Sequence, residues 1–174
     1  MNKTLIIVDM QNDFISGSLA NSAAAAIVEP MAEYIKAWDG AQIICTVDTH
    51  YENYFETQEG KNLPIKHCMS GTDGWVVHDN LFKALKNKTC DWSIARKYSF
   101  GDIEELDDEL DAHVDEIYIC GTCTDICVVS VALNLKARYP EVKMYCIADL
   151  CAGLTPEKHA AALEVMKSCQ IEVI

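Results

Sequence analysis

The chain has 174 residues, half of them hydrophobic, and its 27 acidic residues against 14 basic ones leave a net charge of −13. That length suits one domain with a substantial core, and the acidic balance excludes a nucleic-acid partner, because phosphate backbones are held by clustered Lys and Arg. No apolar run reaches the roughly 18 residues that cross a bilayer.

The N-terminal "MNKTLIIVDMQNDF" has too short an apolar stretch for a secretory core, so a soluble cytoplasmic protein without membrane contact is expected. Nine cysteines then point to a reducing compartment rather than a disulfide framework.

In chain order, "TLIIVD" (4–9) is expected as a buried strand, "AAAAIVEPMAEYIKAWDG" as a helix, and "AQIICTVD" (41–48) as a second strand. "NLFKALKN" reads as a helix and 92–96 as a weaker strand, while "GDIEELDDELDAHVDE" reads as a solvated helix face with its flanks. "EIYICG" (116–121) is a strand, "DICVVSVALNLKARYP" a helix, "KMYCIAD" (143–149) a strand and "PEKHAAALEVMKS" a helix, followed by a weak strand at 170–174. Strands alternating with helices imply a parallel sheet covered on both faces and joined by right-handed crossovers. The expected fold is therefore a doubly wound, Rossmann-like three-layer α/β/α domain with a mostly parallel sheet of about six strands. No repeat or linker divides it, so residues 1–174 are read as one domain.

In such sheets, sites form beyond the carboxyl ends of the strands, where strand order reverses. The residues found there are Asp9 after the first strand, Asp48 and His50 after the second, Lys97 after the third, and Thr122 to Cys127 after the fourth. An acid, a metal-binding pair, a cation and a thiol are more than a structural sheet edge requires. Asp48 and His50, with His67 after a loop, form a plausible set for a divalent metal: zinc first, iron or manganese next. His78 and His113 have no evident partner and read as surface residues.

The segment "ICGTCTDICVVS" holds Cys120, Cys123 and Cys127. Cys127 falls in the first turn of the expected helix, with Thr124 as N-cap, where unpaired N–H groups and the helix dipole favour a thiolate. Cys120 ends an apolar strand and, like Cys45 and Cys146, reads as a small buried hydrophobe. A redox pair Cys120–Cys123 and a zinc cluster of all three are the alternatives. The first has its leading cysteine still in a strand, and the second lacks another C-x-x-C.

"IIVDMQNDF", "DTH", "LPIKHCMSGTDGW", "ARKYSFGDIEEL" and "GTCTDICVVSVA" stand in the order of five elements of the isochorismatase-like cysteine hydrolases, the superfamily that includes nicotinamidases. The chain resembles that family from residue 4 to about residue 150. The resemblance implies hydrolysis of a small-molecule amide by Cys127 as nucleophile with Asp9 and Lys97, Arg96 being the alternative cation. It implies an oxyanion hole from the backbone N–H groups of Cys123 and Cys127, with a cis peptide at Thr122–Cys123. Metal-containing members add a fourth ligand, for which Glu59 is favoured over Glu56, and no organic cofactor is implied. Phe14, Leu63 and Thr122 are expected in the substrate pocket; Leu63 and Pro64 stand where nicotinamidases often carry an aromatic. Members are commonly homo-oligomers. Competing readings are hydrolysis of a carbamoyl or other non-pyridine substrate, and a non-catalytic or redox-sensing protein forming a Cys120–Cys123 or Cys123–Cys127 disulfide. Isochorismate itself is disfavoured, since true isochorismatases lack the cysteine.

Overall fold

The computed structural model describes residues 1–174. Its apolar runs form six strands: β1 (Lys3–Val8), β2 (Gln42–Asp48), β3 (Asp91–Lys97), β4 (Glu116–Thr122), β5 (Lys143–Ala152) and β6 (Glu172–Val173). They pair in the order β3-β2-β1-β4-β5-β6, all parallel. The helices are α1 (Asn12–Ile15), α2 (Ser22–Ala26), α3 (Val28–Ala37), α4 (Gln58–Asn62), α5 (Asp79–Lys86), α6 (Glu104–Glu109), α7 (Val129–Arg138) and α8 (Pro156–Ser168). No helix is long and apolar enough to cross a membrane.

The doubly wound expectation holds, and the strand order explains the layers. From β1 the chain steps outward through β2 to β3, then returns to β4 and steps the other way to β6. Right-handed crossovers in opposite directions put the helices on opposite faces. Accordingly α3 packs on α5, and α7 on α8. Leu5, Ile6 and Ile7 of β1, with Ile43, Ile44, Ile117 and Ile119 beside them, are buried under both layers, which is why these strands read as continuous apolar runs.

Two expected helices differ in detail. The 23–40 run breaks at Ile27 into α2 and α3. Pro30 stands in the first turn of α3, where its missing N–H is harmless, but in a continuous helix its ring would clash with the Ala26 carbonyl four residues back. The helix after β4 opens with a π turn at Thr124–Val128, in which the Cys123 carbonyl accepts from Ile126 N–H (3.0 Å) and Val128 N–H (3.1 Å). Thr124 does not cap it: its Oγ1 instead meets His159 Nδ1 at 2.9 Å. His78 also departs from expectation, because its Nδ1 accepts the Asn80 N–H as the N-cap of α5.

Strand order reverses between β1 and β4, and the two approach closely there. Gly121 lies at φ +126°, and a Cβ on it would stand 2.1 Å from the Val8 carbonyl oxygen. Only glycine fits. Asp9 follows directly on one side of this junction and Thr122 on the other.

Candidate active site

Asp9 leaves β1 at φ +51°, a left-handed conformation that Asp tolerates better than most residues. Its carboxylate is fully buried: Oδ1 accepts from the Thr46 hydroxyl at 2.6 Å, and Oδ2 lies 3.0 Å from Lys97 Nζ. Beyond that ion pair, Oδ2 has no hydrogen bond. Lys97 ends β3 with its side chain 1% exposed, while Arg96 points outward into an ion pair with Glu105 at 2.9 Å. The buried cation is therefore Lys97.

Cys127 is buried in the π turn, and the charges of Asp9 and Lys97 act on its thiol in opposite senses. Burial pushes the thiol well above its ordinary pKa; the Asp9 charge adds to this and Lys97 opposes it. Burial thus outweighs the pull of Lys97, which the sequence reading expected to lower the thiol pKa. Burial likewise raises the Asp9 pKa against the pull of Lys97. Lys97 itself stays charged: burial works against it, but Asp9, Cys127 and Asp48 together hold its pKa above the usual lysine range.

The Thr122–Cys123 peptide is cis. Thr122 is buried, and its hydroxyl donates to the Ala152 carbonyl at 3.1 Å and reaches Cys123 Sγ at 3.4 Å. Its side chain is thus spent on β5 rather than offered to a pocket. Cys120 is a core residue against the Ile6 carbonyl, and all nine cysteines are free thiols.

Beside this group Asp48, His50, Glu59 and His67 present one ligand atom each, all within 4.8 Å of one another. Asp48 Oδ2 lies 2.9 Å from His50 Nε2 and 3.5 Å from His67 Nε2; Glu59 Oε1 lies 3.7 and 3.5 Å from the same nitrogens. Tetrahedral zinc at about 2.0–2.2 Å from each ligand would space them about 3.3–3.6 Å apart. Two imidazoles and two carboxylates at these separations fit such an ion. His67 Nδ1 is held by the Ile65 carbonyl at 2.9 Å, which leaves Nε2 facing the cluster. Tyr54, fully buried, packs edge-on to both imidazole rings and donates its hydroxyl to the Leu63 carbonyl. Thr57 caps α4 through the Gly60 N–H and so places Glu59 on its first turn. Glu56 is exposed on the turn before it.

A cleft of about 520 Å³ opens beside the cluster, lined among others by His50, Glu59, Leu63, Tyr98 and Phe100. Phe14, expected in the pocket, does not line this cleft; its ring lies 5.7 Å from that of His67. Asp48 joins the two groups, since its Oδ1 is 3.9 Å from Lys97 Nζ while Oδ2 faces the histidines.

Several residues escaped the sequence reading. Thr46 looks like any strand threonine. Asp13 accepts the Cys68 N–H at 2.7 Å, 55 residues away, and so anchors the residue next to His67. Gln11 reaches the main chain of Asp48 and of Trp75. Tyr98 and Phe100 carried a signal, since large aromatics directly after a strand bearing a buried lysine belong to the sheet's ligand-binding end.

Residues 3–174 match the isochorismatase domain. The chain belongs to that family. Among curated isochorismatase-family relatives it is 30% identical to the nicotinamidase/pyrazinamidase of Mycobacterium tuberculosis, over 99% of this chain and 98% of that one. Among solved structures, Bacillus subtilis nicotinamidase/pyrazinamidase PncA superposes with a TM-score of 0.87 at 24% identity, covering 99% of both chains, which establishes the shared fold. Pyrococcus horikoshii pyrazinamidase, solved in complex with zinc, gives a TM-score of 0.80 at 30% identity over 100% of this chain and 99% of its own.

Proposed function

We propose that this protein is a cysteine amidohydrolase that cleaves a small aromatic amide, nicotinamide being the first candidate, and releases ammonia through a thioester. The observation that carries the reading is the buried Asp9–Lys97 ion pair set against the Cys127 thiol, in a family member whose relatives are named nicotinamidases.

A protonated thiol needs a base, and Asp9 Oδ2 is the buried oxygen free to take its proton. The thiolate adds to the amide carbon, and the carbonyl oxygen becomes an oxyanion held by the backbone N–H groups of Cys123 and Cys127. Collapse breaks the C–N bond, and Asp9 returns the proton to the leaving nitrogen, which departs as ammonia. Water, deprotonated by Asp9, then cleaves the thioester; the carboxylic acid leaves and the thiol regains its proton. Lys97 keeps positive charge beside these transfers and stabilises each anion formed.

Asp48, His50, Glu59 and His67 would hold a divalent ion, zinc before iron or manganese, and when bound it supplies a Lewis acid for a ring nitrogen of the substrate. An aromatic ring is favoured over a carbamoyl group because Tyr98 and Phe100 line the cleft that Leu63 leaves without a stacking partner.

The test is ammonia release from nicotinamide by the purified protein. Wild type should turn over, and Cys127→Ala should lose activity by roughly a thousandfold or more while its circular dichroism is unchanged. Undiminished ammonia release by the variant would overturn the mechanism.

A further inference from the structure

The ladder between β1 and β2 ends at the rung Val8↔Thr46. Asp9 turns out of the strand there, and its N–H bonds back to the Thr46 carbonyl at 3.2 Å. β2 continues to Asp48, so the Asp48 main chain has β3 on one side and no strand on the β1 side. Gln11 occupies that place. Its Oε1 accepts from Asp48 N–H at 2.8 Å, and its Nε2 donates to the Asp48 carbonyl at 2.9 Å and to the Trp75 carbonyl at 2.7 Å.

A primary amide carries the acceptor and the donor of a peptide unit, with one N–H to spare. The Gln11 side chain therefore stands in for a missing residue of strand, and its spare N–H fastens a third segment. That segment matters: Trp75 lies on the loop that begins at His67, and Gln11 itself forms a bridge with Val77 farther along it. Asp48 and His50 come from the end of β2, whereas His67 comes from the loop. One fully buried side chain thus ties together the two segments that supply three of the four clustered ligands.

We infer that Gln11 is the positioning residue of the metal site, setting how tightly an ion binds by fixing the Asp48 peptide relative to the His67 loop. The inference rests on the metal reading given above. No other residue type of that size serves, because Glu offers acceptors only and Met offers neither.

The test is a zinc titration of the metal-free full-length protein in competition with a chromogenic chelator. Gln11→Met, nearly isosteric but without polar groups, should bind zinc about 10–100-fold more weakly, the range for residues that orient ligands from behind. Gln11→Glu keeps the acceptor for Asp48 N–H and should fall between that variant and wild type. Thr46→Val, which loses the hydrogen bond to Asp9 and none to Asp48, should keep wild-type zinc affinity while turnover drops. Should Gln11→Met fail to fold by circular dichroism, Gln11→Glu decides. A folded Gln11 variant with wild-type affinity overturns the inference, provided Asp48→Ala has lost zinc binding. Undiminished binding by Asp48→Ala would instead overturn the metal reading beneath it.

Discussion

Lys97 holds its charge with almost no contact to water, between Asp9 at 3.0 Å and Asp48 at 3.9 Å. Removing one partner of a buried pair costs about 3–5 kcal/mol, which for a chain of this size lowers the melting temperature by about 6–20 °C. Lys97→Ala should show that fall in a thermal melt; a change of a degree or two would mean that the pair is not held dry. The same burial raises the Asp9 pKa, and in the proposed mechanism Asp9 must be ionised to take the thiol proton. The acid limb of kcat/KM should accordingly lie above the ordinary carboxylate value of about 3.9, with the rate rising as the pH passes through it. A limb at or below that value counts against Asp9 as the base. The positions of Asp9 and Cys127 beyond strand ends were legible because β1 and β4 are announced by their apolar runs, whereas Lys97 ends the weakly patterned β3. Thr46, Gln11 and Asp13 were not, because they act by filling hydrogen-bonding places that exist only once distant segments meet. The upward shift of the Cys127 pKa was not legible for a related reason: a sequence shows the helix end but not the depth of burial.

Elements came through the sequence wherever one pattern ran unbroken, as in β1 and β2. They blurred where two demands met. A helix-favouring alanine run is cut because Pro30 starts a helix better than it continues one, and the helix after β4 begins as a π turn in which Thr124 bonds His159 instead of capping. The junction between β1 and β4 has no slack at Gly121, whose added Cβ would meet the Val8 carbonyl at 2.1 Å. Gly121→Ala must push β1 away and move Asp9 with it. We expect a loss of about 3 kcal/mol or more, seen as a midpoint shift in urea unfolding, with turnover reduced in the fraction that folds. Wild-type stability in that variant would show that the two strands are not locked together here.

Across the whole molecule, the site is assembled from β1, β2, β3 and the turn after β4, with two of the four side chains that could hold a metal supplied from the long connection between β2 and α5. Glu59 and His67 are two of the points at which that connection meets the sheet end. An ion present at about a hundred times its dissociation constant adds about 2.7 kcal/mol, or about 5–11 °C in a chain of this length. Chelation should remove that increment in differential scanning fluorimetry, and His67→Ala should abolish the difference. In the metal-free protein, burial pulls the His67 pKa down, but the Asp48 and Glu59 carboxylates outweigh it and push it up to about 10. A histidine whose pKa rises on folding stabilises fully below its unfolded value of about 6.5. That contribution should fade between about pH 6.5 and 10, so the chelated wild type should lose melting temperature over that window and His67→Ala should lose less.

β3 is the outermost strand on its side of the sheet and has a single neighbour, yet it carries the buried Lys97 that pairs with Asp9. Sheet rims are where local opening begins. On this rim Glu105 of α6 takes up the Arg96 N–H at 2.7 Å and the Arg96 guanidinium at 2.9 Å. Within an acidic stretch that is otherwise largely exposed, as the sequence reading expected, Glu105 is thus a clasp on an edge strand. Losing Glu105 should let this rim, Lys97 included, open more often.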